Sequence, residues 1–152
     1  VGSYFAGLIP PIPLVLADTG VYHSIVKIEG GYRVTAEEEK PWWNIFPPTI
    51  SHVPGRYVYV YSAVAAPIRF GTTVAHRWER NIPGKGWTTD SEVSFPIAGG
   101  RKDGYRGYSM RSNLPEGSWR VSVVAPGGQI IGRIYFSIDV VEELPALLEE
   151  TL

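Results

Sequence analysis

The sequence contains no cysteine, which excludes disulfide bonds, thiolate nucleophiles and cysteine-based zinc sites. It also lacks a net positive charge, since its formal charge is -1, and this argues against nucleic acid as a partner. The apolar stretch at residues 4–16 falls short of the roughly 20 residues that a membrane-spanning helix needs, and Pro10, Pro11 and Pro13 interrupt it. Because the first residue is Val1 rather than methionine, we expect preceding residues to have been removed.

The composition is that of one folded globular domain. Hydrophobic residues make up 44% of the 152 positions and charged residues 19%, which is too apolar for a disordered chain. Seventeen glycines and thirteen prolines punctuate the sequence without a regular period, and this disfavours long helices. From residue 21 onward, short β-rich runs alternate with turn residues. We predict an all-β, immunoglobulin-like antiparallel β-sandwich of about seven to nine strands.

Alternation within the predicted strands identifies the core. Trp78, Trp119, Val121 and Phe136 each fall on the apolar parity of their strand, so we expect all four to lie in the sandwich interior. Residues 56–66 are apolar on both parities. This pattern predicts a central strand that is covered on both faces.

Three segments are predicted along the chain. Residues 1–19 form an extended Pro-rich leader, residues 20–141 form the β-sandwich domain, and residues 142–152 form an acidic tail or a short helix. Within the domain, the glycine-containing turns at residues 30–31 and 126–128 predict β-hairpins.

The near-zero net charge conceals an uneven distribution. Residues 69–133 carry ten basic and five acidic side chains, whereas residues 134–152 carry five acidic side chains and no basic one. A glycine-rich connection in the basic part sets cationic groups beside aromatic rings, a combination that binds carboxylates, phosphates or sugars. The candidate binding residues there are Arg101, Lys102, Tyr105, Arg106, Tyr108 and Arg111. The competing interpretation is a tight connection whose arginines pair with the acidic tail or face solvent.

Two adjacent tryptophans, Trp42 and Trp43, lie in the proline-rich stretch at residues 37–54, which reads as an irregular excursion between strands. Loop tryptophans either plug the open end of a core or contact a ligand. If exposed, these rings would stack on sugars or lie at a membrane interface. We therefore add both tryptophans to the candidate binding residues.

Patterns for metal binding and catalysis are weak. His23, His52 and His76 have no metal-ligand spacing, so we predict no metal site and no cofactor. His76 falls on an inward-facing parity and is expected to be a neutral imidazole bonded to the backbone. The nucleophile pattern G-x-S-x-G is absent, and Asp90 and Glu92 are spaced so that both carboxylates share one strand face. We expect no enzymatic activity, with a hydrolase that uses Asp90, Glu92 or His76 as an alternative.

A pattern of tryptophans, glycines and arginines runs through the chain. It comprises His76-Arg77-Trp78, Gly86-Trp87, Phe95-Pro96-Ile97, Gly99-Gly100-Arg101, Gly104-Tyr105-Arg106-Gly107-Tyr108-Ser109, Ser112-Asn113 and Gly117-Ser118-Trp119-Arg120-Val121, with Leu8–Leu14 and Gly20–His23 upstream. Over roughly residues 4–139 it resembles the bacterial family called Domain of Unknown Function 2914. The resemblance implies a compact, mostly β domain that commonly follows transmembrane helices, and it implies no catalytic residues.

Together these observations predict an extramembrane binding or scaffolding domain. It is either anchored by membrane helices or docked as an accessory subunit on a membrane complex, with the periplasmic side slightly favoured. Its expected partner is a protein or a membrane complex, and an anionic surface or a sugar is the other candidate ligand. The first alternative function is a carbohydrate-binding module that uses exposed Trp42, Trp43 or Trp87 as a stacking platform.

Overall fold

The computed structural model of the protein describes residues 15–29, 31–37, 48–65, 72–97 and 105–152. These residues form eleven β-strands and no helix. The strands are β1 (Val15–Tyr22), β2 (Ser24–Ile28), β3 (Gly31–Glu37), β4 (Thr49–His52), β5 (Val58–Ala65), β6 (Thr72–Ile82), β7 (Gly86–Ile97), β8 (Tyr105–Arg111), β9 (Gly117–Val124), β10 (Ile130–Val140) and β11 (Leu147–Thr151). Over the described ranges, no helix has the length and apolar character that crossing a membrane requires.

The strands pack as a β-sandwich with a third, smaller sheet on one side. A three-stranded sheet of order β1-β5-β8, the central sheet, packs against a five-stranded sheet of order β4-β10-β9-β6-β7. A second three-stranded sheet of order β11-β3-β2, the cover sheet, lies on the other face of the central sheet. All pairings are antiparallel except that of β4 with β10. The predicted all-β sandwich is thus confirmed.

The sandwich core forms as the strand alternation predicts. Trp78, Trp119, Val121 and Phe136 are each no more than 1% exposed, so all four predicted core residues are confirmed. The indole of Trp78 meets the ring of Phe136 edge-on, with 6.1 Å between their centroids. Full burial of large side chains such as these stabilises the fold by roughly 1.5 to 3 kcal/mol each.

Strand β5 is the predicted strand with two covered faces. It lies in the middle of the central sheet, and its valines at positions 58, 60 and 64 point into the sandwich core. On its opposite face, Tyr61 and Ala63 pack against Ile25 and Val34 of the cover sheet. The chain therefore forms three β layers, with β5 in the middle layer.

Both predicted hairpins are present. Strands β2 and β3 pair antiparallel, with Ile28 opposite Gly31. Strands β9 and β10 pair through the turn at residues 125–129. Gly127 and Gly128 adopt φ angles of 90° and 92° there, a left-handed conformation that glycine adopts without steric cost.

Three parts of the chain differ from the sequence-based expectation or fall outside the described residues. For residues 142–152 the sequence predicts an acidic tail or a short helix; the helix alternative is wrong, because Leu147–Thr151 pairs with β3 as strand β11. Strand β4 occurs inside the stretch that reads as irregular, where it pairs in parallel with β10. Of the predicted Pro-rich leader, residues 1–14 lie outside the described residues, while Val15–Tyr22 is an edge strand of the central sheet.

Candidate functional site

An exposed row of tyrosines lies on the face of the central sheet that the cover sheet only partly covers. Because side chains alternate along a strand, the tyrosines of β5 point away from the valine side. Tyr61 is buried beneath the cover sheet, but Tyr57 is 47% exposed and Tyr108 of β8 is 36% exposed. Tyr59 lies between them, opposite the exposed Met110. We call Tyr57, Tyr59, Tyr108 and Met110 the tyrosine face.

The rings of the tyrosine face form a continuous row. The ring centroids of Tyr57 and Tyr59 are 6.4 Å apart with 59° between their planes, and those of Tyr59 and Tyr108 are 6.0 Å apart with 47° between them. Burial, together with the neighbouring Tyr108 and Tyr57, raises the pKa of Tyr59 above its ordinary value. The Tyr59 phenol therefore keeps its proton at neutral pH and can donate a hydrogen bond.

The row of rings continues at Tyr32 of the cover sheet, whose ring is in contact with an arginine. The ring of Tyr32 lies edge-on to both Tyr61 and Tyr108, with centroid distances of 5.9 and 6.1 Å. The Arg106 guanidinium lies 5.9 Å from the centroid of Tyr32 and donates a hydrogen bond to the Leu152 carbonyl at 3.2 Å. Arg106 thus ties the last residue of the cover sheet to the central sheet.

Arg111 and the two carboxylates considered for catalysis are engaged in separate ion pairs. Arg111 pairs with Asp90, which is the extra residue of a β-bulge in β7, since Thr89 stands opposite Glu79 and Ser91 opposite Trp78. Glu92 instead pairs with Arg77 of β6 at 2.8 Å. Because the bulge shifts the alternation, the two carboxylates have different partners and do not converge on one site.

The predicted binding residues have different places in the structure. Arg101, Lys102, Trp42 and Trp43 lie outside the described residues, as does the side chain of Tyr105. Tyr108 lies on the tyrosine face, whereas Arg106 and Arg111 are half-buried and bonded within the domain. Arg106 donates a hydrogen bond to the backbone oxygen of Leu152, which lies within the predicted acidic tail.

Sequence reasoning missed Tyr57, Tyr59 and Met110. The signal was present in the run RYVYVYS at residues 56–62, where tyrosines share one parity and valines the other. Both residue types are favourable in strands, so the run was interpreted as a core strand with two covered faces. Tyrosine also carries a hydroxyl at its tip, so its ring can lie on an apolar surface while the hydroxyl contacts water.

Trp87, the third tryptophan considered for sugar stacking, has one ring face covered by an arginine. It is half-buried on the outer face of the five-stranded sheet, with the Arg120 guanidinium 4.4 Å above its ring. Tyr135 packs against it edge-on at 5.9 Å.

Arg120 is in turn held at 3.0 Å by the buried carboxylate of Glu79, which also accepts a 2.5 Å hydrogen bond from Ser122. These bonds hold the pKa of Glu79 below its usual value despite the opposing effect of burial.

A buried polar cluster around His76 links the two sheets of the sandwich. His76 is fully buried, and its Nε2 and Nδ1 atoms each lie 2.7 Å from a serine hydroxyl, Ser62 of β5 and Ser109 of β8 respectively. The indole N–H of Trp78 donates to Ser109 Oγ at 3.0 Å. The ring of Phe95 packs edge-on against the imidazole at 4.9 Å. His76 is inward-facing as predicted, but its partners are serine hydroxyls rather than backbone groups.

Both ring nitrogens of His76 have a serine partner. In the neutral imidazole one nitrogen donates and the other accepts, and a serine hydroxyl can match either role because it has one O–H donor and two acceptor lone pairs. The Trp78 indole can only donate, so Ser109 Oγ accepts that hydrogen bond. Burial lowers the pKa of His76 from 6.5 to about 4, so the ring is neutral at physiological pH. The ring bonds two sheets to each other and has no contact with solvent.

The other histidines also have partners inside the domain. His52 Nε2 accepts a hydrogen bond from the Leu114 backbone N–H at 3.3 Å, and burial lowers the pKa of His52. His23 Nε2 lies 3.5 Å from a carboxylate oxygen of Glu37. In the described part of the chain, no three histidine or carboxylate side chains come together as a metal site.

Comparison with protein-family models yields a match over part of the chain. No curated protein matches this sequence. Residues 71–138, which run from the start of β6 into β10, match the model of a family described as Protein of unknown function (DUF2914). The predicted resemblance of this chain to Domain of Unknown Function 2914 is therefore confirmed over these residues.

Proposed function

We propose that this chain is a non-enzymatic binding domain and that the tyrosine face is the surface through which it contacts a protein partner. The observation that carries the proposal is the exposure of Tyr57, Tyr108 and Met110 side by side on a regular sheet, at 47%, 36% and 47%. Tyrosine and methionine are enriched at protein interfaces relative to the rest of the surface. Tyrosine supplies a large contact area and a polar tip at a small cost in conformational entropy.

The rigidity of the tyrosine face supports a recognition role. Tyr59 and Tyr108 are anchored on paired strands, and the partly buried Tyr32 of the cover sheet packs against Tyr108. A surface that is ordered before binding loses little entropy when a partner arrives. The absence of catalysis is part of the same proposal, since Asp90 and Glu92 are neutralised separately and His76 is enclosed in the core.

The geometry favours a protein over a sugar as the partner. A sugar ring stacks on a flat aromatic surface, whereas the planes of neighbouring tyrosines are turned by 59° and 47° relative to each other. Trp87, offered for stacking by the carbohydrate alternative, is covered on one face by Arg120. A contact between side chains tolerates tilted rings, because aromatic groups pack favourably edge-on as well as stacked.

We also propose that the domain works outside the membrane, either anchored by helices in a longer protein or docked as an accessory subunit on a membrane complex. The support for this is the family resemblance over residues 71–138, together with what that resemblance implies about membrane helices before the domain. The periplasmic side remains the favoured one.

Site-specific photo-crosslinking tests the binding proposal. A photoreactive phenylalanine analogue replaces Tyr57 in one variant and Tyr135 in a control variant, because Tyr135 is 37% exposed but lies on the five-stranded sheet. We expect an adduct with a discrete protein in native membrane preparations from position 57 and not from position 135. Equal labelling at both positions, or no adduct at position 57, would contradict the proposal.

A further inference from the structure

We infer that the tyrosine face binds an extended proline-rich peptide with an acidic residue beside Arg56; this inference rests on the proposed function of that face. Three features of the surface support it: the shape of the tyrosine row, the hydrogen-bonding character of the phenols, and the charge at one end of the row.

The shape suits a narrow, extended ligand. The three rings follow one another in steps of 6.4 and 6.0 Å, so that the row spans at most roughly 12 Å. A polyproline II helix rises about 3.1 Å per residue, so four residues cover this length. Tyr57 and Tyr108 are 47% and 36% exposed, so each ring has surface on which a compact pyrrolidine ring can pack. Aromatic-lined grooves are a general means of recognising proline-rich segments.

The hydrogen-bonding groups are complementary as well. A polyproline segment has carbonyl acceptors along its length and no backbone N–H donors. The phenols of Tyr57, Tyr59 and Tyr108 are protonated at neutral pH, as tyrosines ordinarily are, and offer O–H donors to those carbonyls. The site is a sheet face rather than a sheet edge, so it offers side-chain donors and not the backbone ladder that strand addition would use. Polyproline is also extended before binding, which lowers the entropic cost of ordering it.

Charge distinguishes one end of the row from the other. Arg56 directly precedes Tyr57, is exposed, and has no ion pair or side-chain hydrogen bond among the described residues. Arg111, by contrast, is neutralised by Asp90. An acidic residue in the peptide therefore gains an ion pair only at the Arg56 end. At the Tyr108 end the row continues to Tyr32 of the cover sheet, whose ring lies edge-on to Tyr108 at 6.1 Å.

Peptide titration of the 152-residue chain tests this inference. The probes are fluorescent peptides of five prolines that carry one glutamate, at the N-terminus in one peptide and at the C-terminus in the other. The same peptides with lysine in place of glutamate test the charge preference. A glycine-serine peptide that carries one glutamate tests the need for proline. We expect the glutamate-proline peptides to bind at least about tenfold more tightly than the glycine-serine peptide, since each aromatic contact contributes about a kcal/mol. The preference for glutamate over lysine should be a few-fold and should fall with added salt.

Matched variants assign the binding to the tyrosine face. Y57S combined with Y108S should reduce proline-peptide affinity at least about tenfold, while Y135S on the five-stranded sheet should leave it unchanged. R56Q should abolish the glutamate preference and retain proline binding. Chemical-shift changes of the wild-type chain on titration provide a second measurement that does not depend on any variant folding, and they should centre on Tyr57, Tyr59 and Tyr108.

The outcomes separate the ligand class from the binding function. Equal affinity for the proline and glycine-serine peptides, or equal loss in Y135S and in Y57S with Y108S, would overturn the proline-rich inference. If crosslinking from position 57 nevertheless captures a discrete protein, the proposed binding function stands and only the ligand class fails. A linear oligosaccharide that shifts the tyrosine resonances when the peptides do not would overturn both.

Discussion

As the pH is lowered, protonation of His76 should destabilise the fold before protonation of the carboxylates does. The imidazole is fully buried, and its two nitrogens are already occupied by hydrogen bonds with Ser62 and Ser109. Protonating it would make both ring nitrogens donors, so the serine hydroxyl that donates to the neutral ring would lose that hydrogen bond and would have to turn its proton away. It would also create a charge in the sandwich core with no acidic partner.

The size and sign of this effect follow from the lowered pKa of His76. In the unfolded chain the imidazole takes up a proton as the pH falls through about 6.5, whereas in the folded protein it resists protonation until about pH 4. The unfolded state therefore binds more protons across this window, and stability falls as the pH is lowered. The difference amounts to about 3 kcal/mol once the pH reaches 4, and to about 2 kcal/mol at pH 5.

Urea unfolding of the wild type and of H76Q between pH 7.5 and 4 measures the effect. H76Q should be less stable than the wild type at neutral pH. Because glutamine does not titrate, the difference in unfolding free energy between the two proteins should shrink by about 3 kcal/mol as the pH falls to 4. The pKa of His52 is also lowered, so H52Q is the control that retains the His76 contribution. Glu37 and Glu79 titrate in both proteins and cancel in the comparison. Parallel curves for the wild type and H76Q would refute the reasoning.

Three further substitutions test the packing and the ion pairs. Trp119→Ala should destabilise the domain by roughly 3 to 5 kcal/mol in denaturant titration, and a loss under about 1 kcal/mol would contradict the strand register. Gly107→Ala should cost about 1 to 3 kcal/mol by thermal unfolding, because its new Cβ would meet the ring of Phe95, and a neutral effect would show that Phe95 can move. Glu79→Ala should cost about 3 kcal/mol, whereas Glu92→Ala in the more exposed ion pair should cost under about 1 kcal/mol; equal losses would contradict the difference in burial.

Local patterns suffice to predict the sandwich and the hairpin of β2 and β3, but not β11, the third strand of the cover sheet. The alternation of Trp119 and Val121 with polar neighbours predicts both the strand and its buried face, because that pattern is set within one strand. Strand β11 has no such pattern: its sequence, LLEET, is mostly exposed. It is a strand because it pairs with β3 and because Leu152 both donates to and accepts from Tyr32. Such pairing between distant segments leaves no trace in the segment itself.

The arginines of the candidate binding block show a similar limit. Their charge is visible in the sequence, but the groups that neutralise it are not, since Asp90 meets Arg111 from a bulge and the Leu152 carbonyl meets Arg106 from the far end of the chain. A bulge reverses which residues share a face, so the spacing of Asp90 and Glu92 predicts the wrong arrangement. Among the candidate binding residues that the structure describes, Tyr108 is the exposed one, at 36%.

The extent of the cover sheet decides what each tyrosine of β5 does. Tyr57, Tyr59 and Tyr61 share one parity and one chemistry, so the sequence alone assigns them the same role. Tyr61 is 2% exposed because Ile25 and Val34 pack over it, while Tyr57 is 47% exposed because the cover sheet ends before reaching it. One aromatic row is therefore structural at one end and accessible at the other. A change at Tyr61 should lower stability, whereas a change at Tyr57 should affect binding alone, because only at Tyr57 is the ring surface left for a partner to cover.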